Sequence, residues 1–337
     1  MVLDFAYRIV GFGWWHWYGP PVHAAERPPV TDCHTHVGLD TAFYLSGWLP
    51  YASSAQDLLE HLGANGIDRA VCFPFCTPSA FDATAFARDR SLVLAPGRFP
   101  FDLENDALLT ELDRLGAGDR LLPFAMFDPG REVDAQIARL RALGGRIRGL
   151  KTQTTVLRSP VRALLGEARG LMELAEELDL PVVVHTAVYP EDEWAQVRDC
   201  IAVAAAYPRV RFNLAHSLRF DAAALTAVSQ LPNVWVDCSA NLLHCLLAVQ
   251  DIRAVAPSGA RVDADYTDPA VVLEAVHALV GDRYLWGSDS PYQSWCDDEF
   301  SNVFSYGDEA GVLARLPSAV ADSMTCHAPH AWLSGDE

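Results

Sequence analysis

Two histidines separated by one residue open the chemistry of this chain. In Thr31-Asp32-Cys33-His34-Thr35-His36, an extended backbone sends alternate side chains the same way. His34 and His36 would then present two imidazoles to one side, as a divalent metal site requires, with Cys33 facing away. The pair alone says little. It gains meaning from His185, His216 and Asp289, which close later strand-like runs: Pro181-Val182-Val183-Val184-His185, Phe212-Asn213-Leu214-Ala215-His216 and Trp286-Gly287-Ser288-Asp289. Lys151 ends another, in Gly149-Leu150-Lys151-Thr152-Gln153. Neutral imidazoles with one carboxylate suit a borderline divalent ion such as zinc, at roughly 2.0–2.2 Å. Such an ion keeps an open position for a water whose pKa falls to about 7. Asp289 could ligate the ion, take a proton from that water, or do both. A lone histidine at a strand end is ordinarily a hydrogen-bonded polar residue, but a set of four with an aspartate at matching ends is not explained that way. His61, His244, His277, His327 and His330 lack this placement and read as helix or surface histidines.

Residues so far apart meet only if the strands that carry them converge. Strand-like runs occupy 30–37, 69–75, 120–127, 146–152, 181–186, 210–216, 233–238 and 283–288, each short, apolar or β-branched, and bounded by Gly, Pro, Asn or Asp. Helical stretches separate them. Ser54 with Asp57 reads as a helix N-cap pair ahead of Leu58, Leu59 and Leu62. Ser159-Pro160 reads as the opening of a helix with Leu171, Leu174, Ala175 and Leu178 on one stripe. Pro190 with Glu191, Asp192 and Glu193 reads as another helix start, its acids at the positive end of the dipole. Eight strands alternating with helices predict an α/β fold, a (β/α)8 TIM barrel, with the site at the C-terminal ends of the strands. A doubly wound sheet would carry a glycine-rich phosphate loop after its first strand, where this chain has His-Thr-His. The stretches 77–105 and 254–269 read as insertions, and long βα loops lie over a barrel's mouth.

The chain has 337 residues, 50% of them hydrophobic and 20% charged, with a net charge of -19. That balance speaks against nucleic acid and anionic membrane as partners, since both need basic patches. Residues 1–29 form an aromatic N-terminal segment containing Trp14-Trp15-His16-Trp17-Tyr18. It lacks the basic start and cleavage site of an export signal and is too short and interrupted to span a membrane. It is expected to pack on the barrel of residues 30–337 or on a second subunit, which makes a homodimer plausible, or else to wall the active site. The 8 cysteines form no CxxC pair, which suggests a reducing, cytoplasmic setting and thiols buried as small apolar residues.

From about Val30 to the C-terminus the chain resembles the amidohydrolase superfamily, most closely the amidohydrolase-related branch that includes aminocarboxymuconate-semialdehyde decarboxylase, resorcylate-type decarboxylases and several hydrolases. Asp32-x-His34-x-His36, the run from Pro181 to His185, Ala215-His216 and Gly287-Ser288-Asp289-Ser290-Pro291 carry the likeness, in order. The resemblance implies that His34, His36, His185 and Asp289 bind metal. It implies that His216 acts beside one ion or binds a second. Zinc is the first expectation, with Mn, Fe or Co as alternatives. One ion is preferred, with two if Lys151 is carboxylated and bridges them. Lys151 could instead remain an ammonium that holds a substrate carboxylate, or sit in a structural ion pair. Departures from the branch include Ser217-Leu218-Arg219 after His216, Thr152-Gln153-Thr154 after Lys151, and His327-Ala328. Arg219 would lie near the mouth, either binding a substrate carboxylate with its planar fork or in a rim ion pair.

The leading expectation is a metal-dependent hydrolase that uses an activated water on an amide, lactone or ester-like bond of a small, carboxylate-bearing molecule. Asp289 would move the proton and His216 would stabilise the oxyanion. The runner-up is metal-dependent, non-oxidative decarboxylation of an aromatic or unsaturated acid. A third reading, a binding scaffold on a disabled barrel, is set against the intact ligand set.

Overall fold

The structure, a computed structural model, describes residues 28–335. The expectations for the aromatic segment up to residue 27 fall outside it. Eight strands form one parallel sheet: β1 (Thr31–His36), β2 (Arg69–Phe73), β3 (Leu121–Met126), β4 (Gly149–Thr152), β5 (Val182–Val184), β6 (Phe212–Leu214), β7 (Val234–Asp237) and β8 (Tyr284–Leu285). Each strand pairs with the next in chain order, from β1 to β8. The last strand returns to the first through Cys33 N–H to the Trp286 carbonyl at 3.0 Å and Asp289 N–H to the His34 carbonyl at 2.9 Å. Eight strands with helices between them, closed in this way, are the expected TIM barrel.

The strands are covered on both faces. Val71, Phe73, Phe124, Met126, Val183, Trp235 and Leu285 form one buried cluster, capped by Trp332 from the last helix. Residues of opposite parity, including Cys72, Ala125, Leu150, Val182 and Val236, belong to a second cluster shared with the surrounding helices. A strand buried on both faces reads as a continuous apolar run, as Pro181 to Val184 does. Cys33, expected to face away from the imidazoles, joins the cluster of Phe73, whose ring lies 4.9 Å from that of His34 and 4.5 Å from that of His36. The β1–β2 register shifts between Asp32 and Thr35, so strict alternation does not hold through this strand.

The helix Ala55–Ala64 begins with the expected reciprocal capping by Ser54 and Asp57 and buries Ala55, Leu58 and Leu62. Two expected helix starts are corrected. Ser159-Pro160 leads into a 3-10 turn, Val161–Leu165, and the α-helix with Leu171, Leu174 and Ala175 buried is Arg169–Glu177. No helix opens at Pro190; the helix is Val197–Ala206. Asp192 does not face a helix dipole. Its carboxylate accepts from the backbone of Trp194 (2.9 Å) and Ala195 (2.7 Å), closing a buried turn.

The long stretch after β2 does cover the mouth. It contains the helix Ala83–Asp89, packed against the helix Thr41–Ser46 that Asp40 caps after β1. The turn after β6 is unusual. His216, Ser217, Leu218, Arg219 and Phe220 all have positive φ, from 48° to 65°, a left-handed path that costs about 1 kcal/mol or more per non-glycine residue. Burial of Leu218 and Phe220 and the 2.7 Å hydrogen bond between Ser217 Oγ and the Tyr284 hydroxyl hold it in place. Among the described residues no helix is long and apolar enough to cross a membrane.

Candidate metal centre and active-site cavity

His34 and His36 are buried at the end of β1, and the closing bonds to β8 bring Asp289 beside them. One donor atom from each of the three lies within 4.8 Å of the others. Asp289 Oδ1 is 3.3 Å from His34 Nε2 and 3.5 Å from His36 Nε2. The far nitrogen of each imidazole is anchored. His34 Nδ1 meets Asp237 Oδ2 at 2.8 Å, and His36 Nδ1 meets the Pro74 carbonyl at 2.9 Å. Those partners fix the tautomer, with the proton on Nδ1 and the Nε2 lone pair turned inward, which is how imidazoles are prepared for a metal.

The electrostatics agree with that preparation. Burial pushes the His36 pKa down to about 4, so its ring is neutral at pH 7. Burial opposes ionisation of Asp289, but His34, His36 and Lys151 together hold its carboxyl below the usual range. Asp237 behaves alike: burial is outweighed by His34 and by hydrogen bonds from His34, Ser239 and the His216 backbone. Two imidazoles with Nε2 turned inward and a carboxylate are a donor set that fits a divalent ion.

His185 lies beside this trio with a different set of partners. Its Nδ1 is 2.9 Å from His216 Nε2, and its Nε2 is 3.0 Å from Arg219 Nη2. Burial, then the charge of Arg219, holds the pKa of both His185 and His216 well below the ordinary value. His216 is buried, with Nδ1 2.8 Å from Ser239 Oγ and 3.9 Å from Asp289 Oδ2. Lys151 is fully buried, its Nζ 3.2 Å from His34 Nε2 and 4.8 Å from the centre of the Phe73 ring. Burial lowers its pKa. Arg219, carried back by the left-handed turn, donates through Nε to the Thr186 carbonyl at 2.7 Å and also contacts His244 Nε2.

These residues form the floor of a cavity of about 730 Å³. One wall is aromatic: Phe43, Trp48, Phe86, Tyr292 and Trp295, several in edge-to-face contact, with the Arg90 guanidinium 4.0 Å above the Trp48 ring. Val156 packs with this aromatic cluster, and Leu243, Leu247 and Ile252 also line the cavity.

Two further side chains at the site lie outside the set expected from the sequence. His244, read as a helix or surface histidine, is buried in the helix Asn241–Val249, lines the cavity and lies 5.1 Å from the His216 ring. Asp237 accepts from His34, Asn213, His216 and Ser239. Its signal was present, as a carboxylate ending the apolar run Val234-Trp235-Val236. His244, a helical turn beyond its strand, gives none.

The amidohydrolase family profile matches residues 31–303. The chain belongs to the amidohydrolase family. Among solved structures, this amidohydrolase is similar to a protein assigned as 2-pyrone-4,6-dicarboxylic acid hydrolase from Pseudomonas putida, at 19% identity and TM-score 0.57, covering 92% of this chain and 98% of that one. It is also similar to an amidohydrolase from Burkholderia multivorans with bound zinc, at 17% identity and TM-score 0.59, covering 92% and 100%. A third is 2,6-dihydroxybenzoate decarboxylase complexed with 2,6-dihydroxybenzoate, at 15% identity and TM-score 0.57, covering 91% and 99%. At these identities the likeness is one of fold. No curated protein matches the chain.

Proposed function

We propose that this amidohydrolase is a metal-dependent hydrolase acting on an amide, lactone or ester-like bond of a small molecule that bears a carboxylate. The observation that carries this reading is the convergence of His34 Nε2, His36 Nε2 and the Asp289 carboxylate, each imidazole anchored behind by its other nitrogen. His34, His36 and Asp289 would hold the ion, with zinc first among the candidates; His185, expected as a further ligand, has its two ring nitrogens against His216 and Arg219. A divalent ion bound there would supply Lewis acidity at the bond to be broken. The chain's own residues do the rest. Asp289, kept ionised among the imidazoles, takes the proton of the attacking water. His216, with Nδ1 3.9 Å from Asp289 Oδ2, donates to the oxyanion that develops between them. The guanidinium of Arg219 receives the substrate carboxylate, and the aromatic wall packs its apolar part and excludes water. Lys151 stands ready as a second cation against the substrate. One ion, with Lys151 uncarboxylated, is the preferred arrangement.

The test is Asp289→Asn in zinc-loaded protein, assayed on carboxylate-bearing lactones, esters and amides. The variant is expected to keep its fold, by circular dichroism, and to lose nearly all turnover; retained turnover overturns the assignment. A second reading is favoured by the aromatic wall: non-oxidative decarboxylation of an aromatic acid, with Asp289 shuttling the proton to the ring. Release of carbon dioxide from hydroxybenzoates, without hydrolysis of the first panel, would replace the first reading with the second.

A further inference from the structure

Arg219 is a cation set into the cavity floor without a carboxylate in contact: none of the ion pairs among the described residues includes it. Its partners are a carbonyl and two imidazoles, Thr186 O, His185 Nε2 and His244 Nε2. A guanidinium carries five donors and no acceptor. Both imidazoles must therefore offer Nε2 as a lone pair, and both must carry their proton on Nδ1. The remaining contacts obey that assignment. His185 Nδ1–H points at His216 Nε2 (2.9 Å), and His244 Nδ1–H points at the Ser239 carbonyl (3.2 Å). Three of the five guanidinium donors are spent in this way, which leaves two N–H groups to serve the cavity that Arg219 lines. The nearby carboxylate of Asp192 is occupied by the backbone of Trp194 and Ala195 and by the Thr155 hydroxyl, so it does not compete for them.

We infer that His244 is a positioning residue: fixed as its Nδ1–H tautomer by the Ser239 carbonyl, it holds Arg219 as one arm of a fork whose free N–H pair is a carboxylate subsite. The inference rests on the proposed reading that the substrate bears a carboxylate, and adds the residue that makes Arg219 able to receive it. An arginine in a cavity ordinarily folds onto the nearest carboxylate; neutral acceptors on both sides keep this one oriented and its charge unspent.

The experiment uses the full chain, zinc-loaded, with 15N-labelled histidine. Long-range proton–nitrogen correlation reads the tautomer of His244. Calorimetry compares a carboxylate probe, 2,6-dihydroxybenzoate, with its neutral counterpart, resorcinol. Wild type is expected to show the Nδ1–H form at His244 and to bind the carboxylate probe at least about tenfold more tightly than the neutral one. His244→Phe keeps the ring but not the acceptor, and is expected to lose that preference at unchanged zinc content. His244→Gln, whose Oε1 stands where Nε2 stood, is expected to restore it. Full preference in His244→Phe, or an Nε2–H proton on His244, overturns the positioning role. Equal binding of the two probes by wild type overturns the carboxylate reading itself, and the tautomer then judges the contact with Arg219 separately.

Discussion

At the scale of single residues, the proposed metal centre would depend on groups that do not themselves ligate the ion. Asp237 is the clearest. It accepts from His34 Nδ1, and with its other oxygen it gathers the His216 backbone N–H and Ser239. Replacing the carboxylate by an amide leaves the shape but lets a donor face His34 Nδ1, which frees that imidazole to rotate or change tautomer. Asp237→Asn is therefore expected to weaken zinc binding about 10- to 100-fold, read by competition with a chromogenic chelator. Unchanged affinity would show that His34 needs no support from behind. The same residue shows how much of the site was legible. His34, His36, His185, His216, Lys151 and Asp289 stand at strand ends because a barrel gathers its chemistry there, and the apolar runs that lead to them are plain in the sequence. Asp237 satisfies the identical criterion and could have been read. His244 could not, because a histidine inside a helix reveals its burial only when the helix docks, and its partner Arg219 is brought to it by a turn that runs left-handed through five residues without glycine.

At the scale of elements, closeness between β1 and β8 decides whether the ligands meet. Gly287 is the residue that permits it. A Cβ placed there would lie 2.8 Å from His34 Cβ and 3.3 Å from the His34 backbone nitrogen, and the second of these is backbone that has no rotamer to escape into. Gly287→Ala is thus expected to push β1 away from β8, costing about 1–3 kcal/mol in urea unfolding, and to weaken zinc binding in step. A variant with wild-type stability and affinity would show that the seam between the two strands has slack. The glycine in Gly287-Ser288-Asp289 was visible in the sequence, but its reason was not: the atom it must clear belongs to a residue 253 positions earlier. Strand positions were readable for a simpler cause, since buried parallel strands are apolar throughout. Their ends were less so. β8 is only Tyr284–Leu285 by pairing, and the helix expected at Pro190 gave way to a turn because Asp192 found backbone partners nearer than any helix. Acidic residues after a proline satisfy either outcome, and tertiary packing chooses.

At the scale of the whole molecule, the response to pH is a balance between buried carboxylates whose neighbours either outweigh burial or do not. Asp237 and Asp289 are kept below the ordinary range by the imidazoles and hydrogen bonds around them, so their contribution to stability is present above the unfolded pKa and is lost in acid. Asp40 is the opposite case. It caps the helix Thr41–Ser46 and accepts from the backbone of Phe43 and Thr77, but among the described residues no cation pairs with it, and burial raises its pKa from 3.8 to about 6. With the folded value above the unfolded one, the native state binds more protons between these limits, and stability must fall as pH rises through them. Asp40→Asn keeps an acceptor for the cap and removes the titration. The stability of the variant relative to wild type is therefore expected to increase by about 2 kcal/mol between pH 4.5 and 7.5, since most of the two-unit shift is expressed in that window. Urea unfolding of both proteins, without added metal, at the two pH values measures it. A difference that stays constant across the window would mean that Asp40 titrates alike in the folded and unfolded chain, and that solvent reaches the cap under the active-site rim.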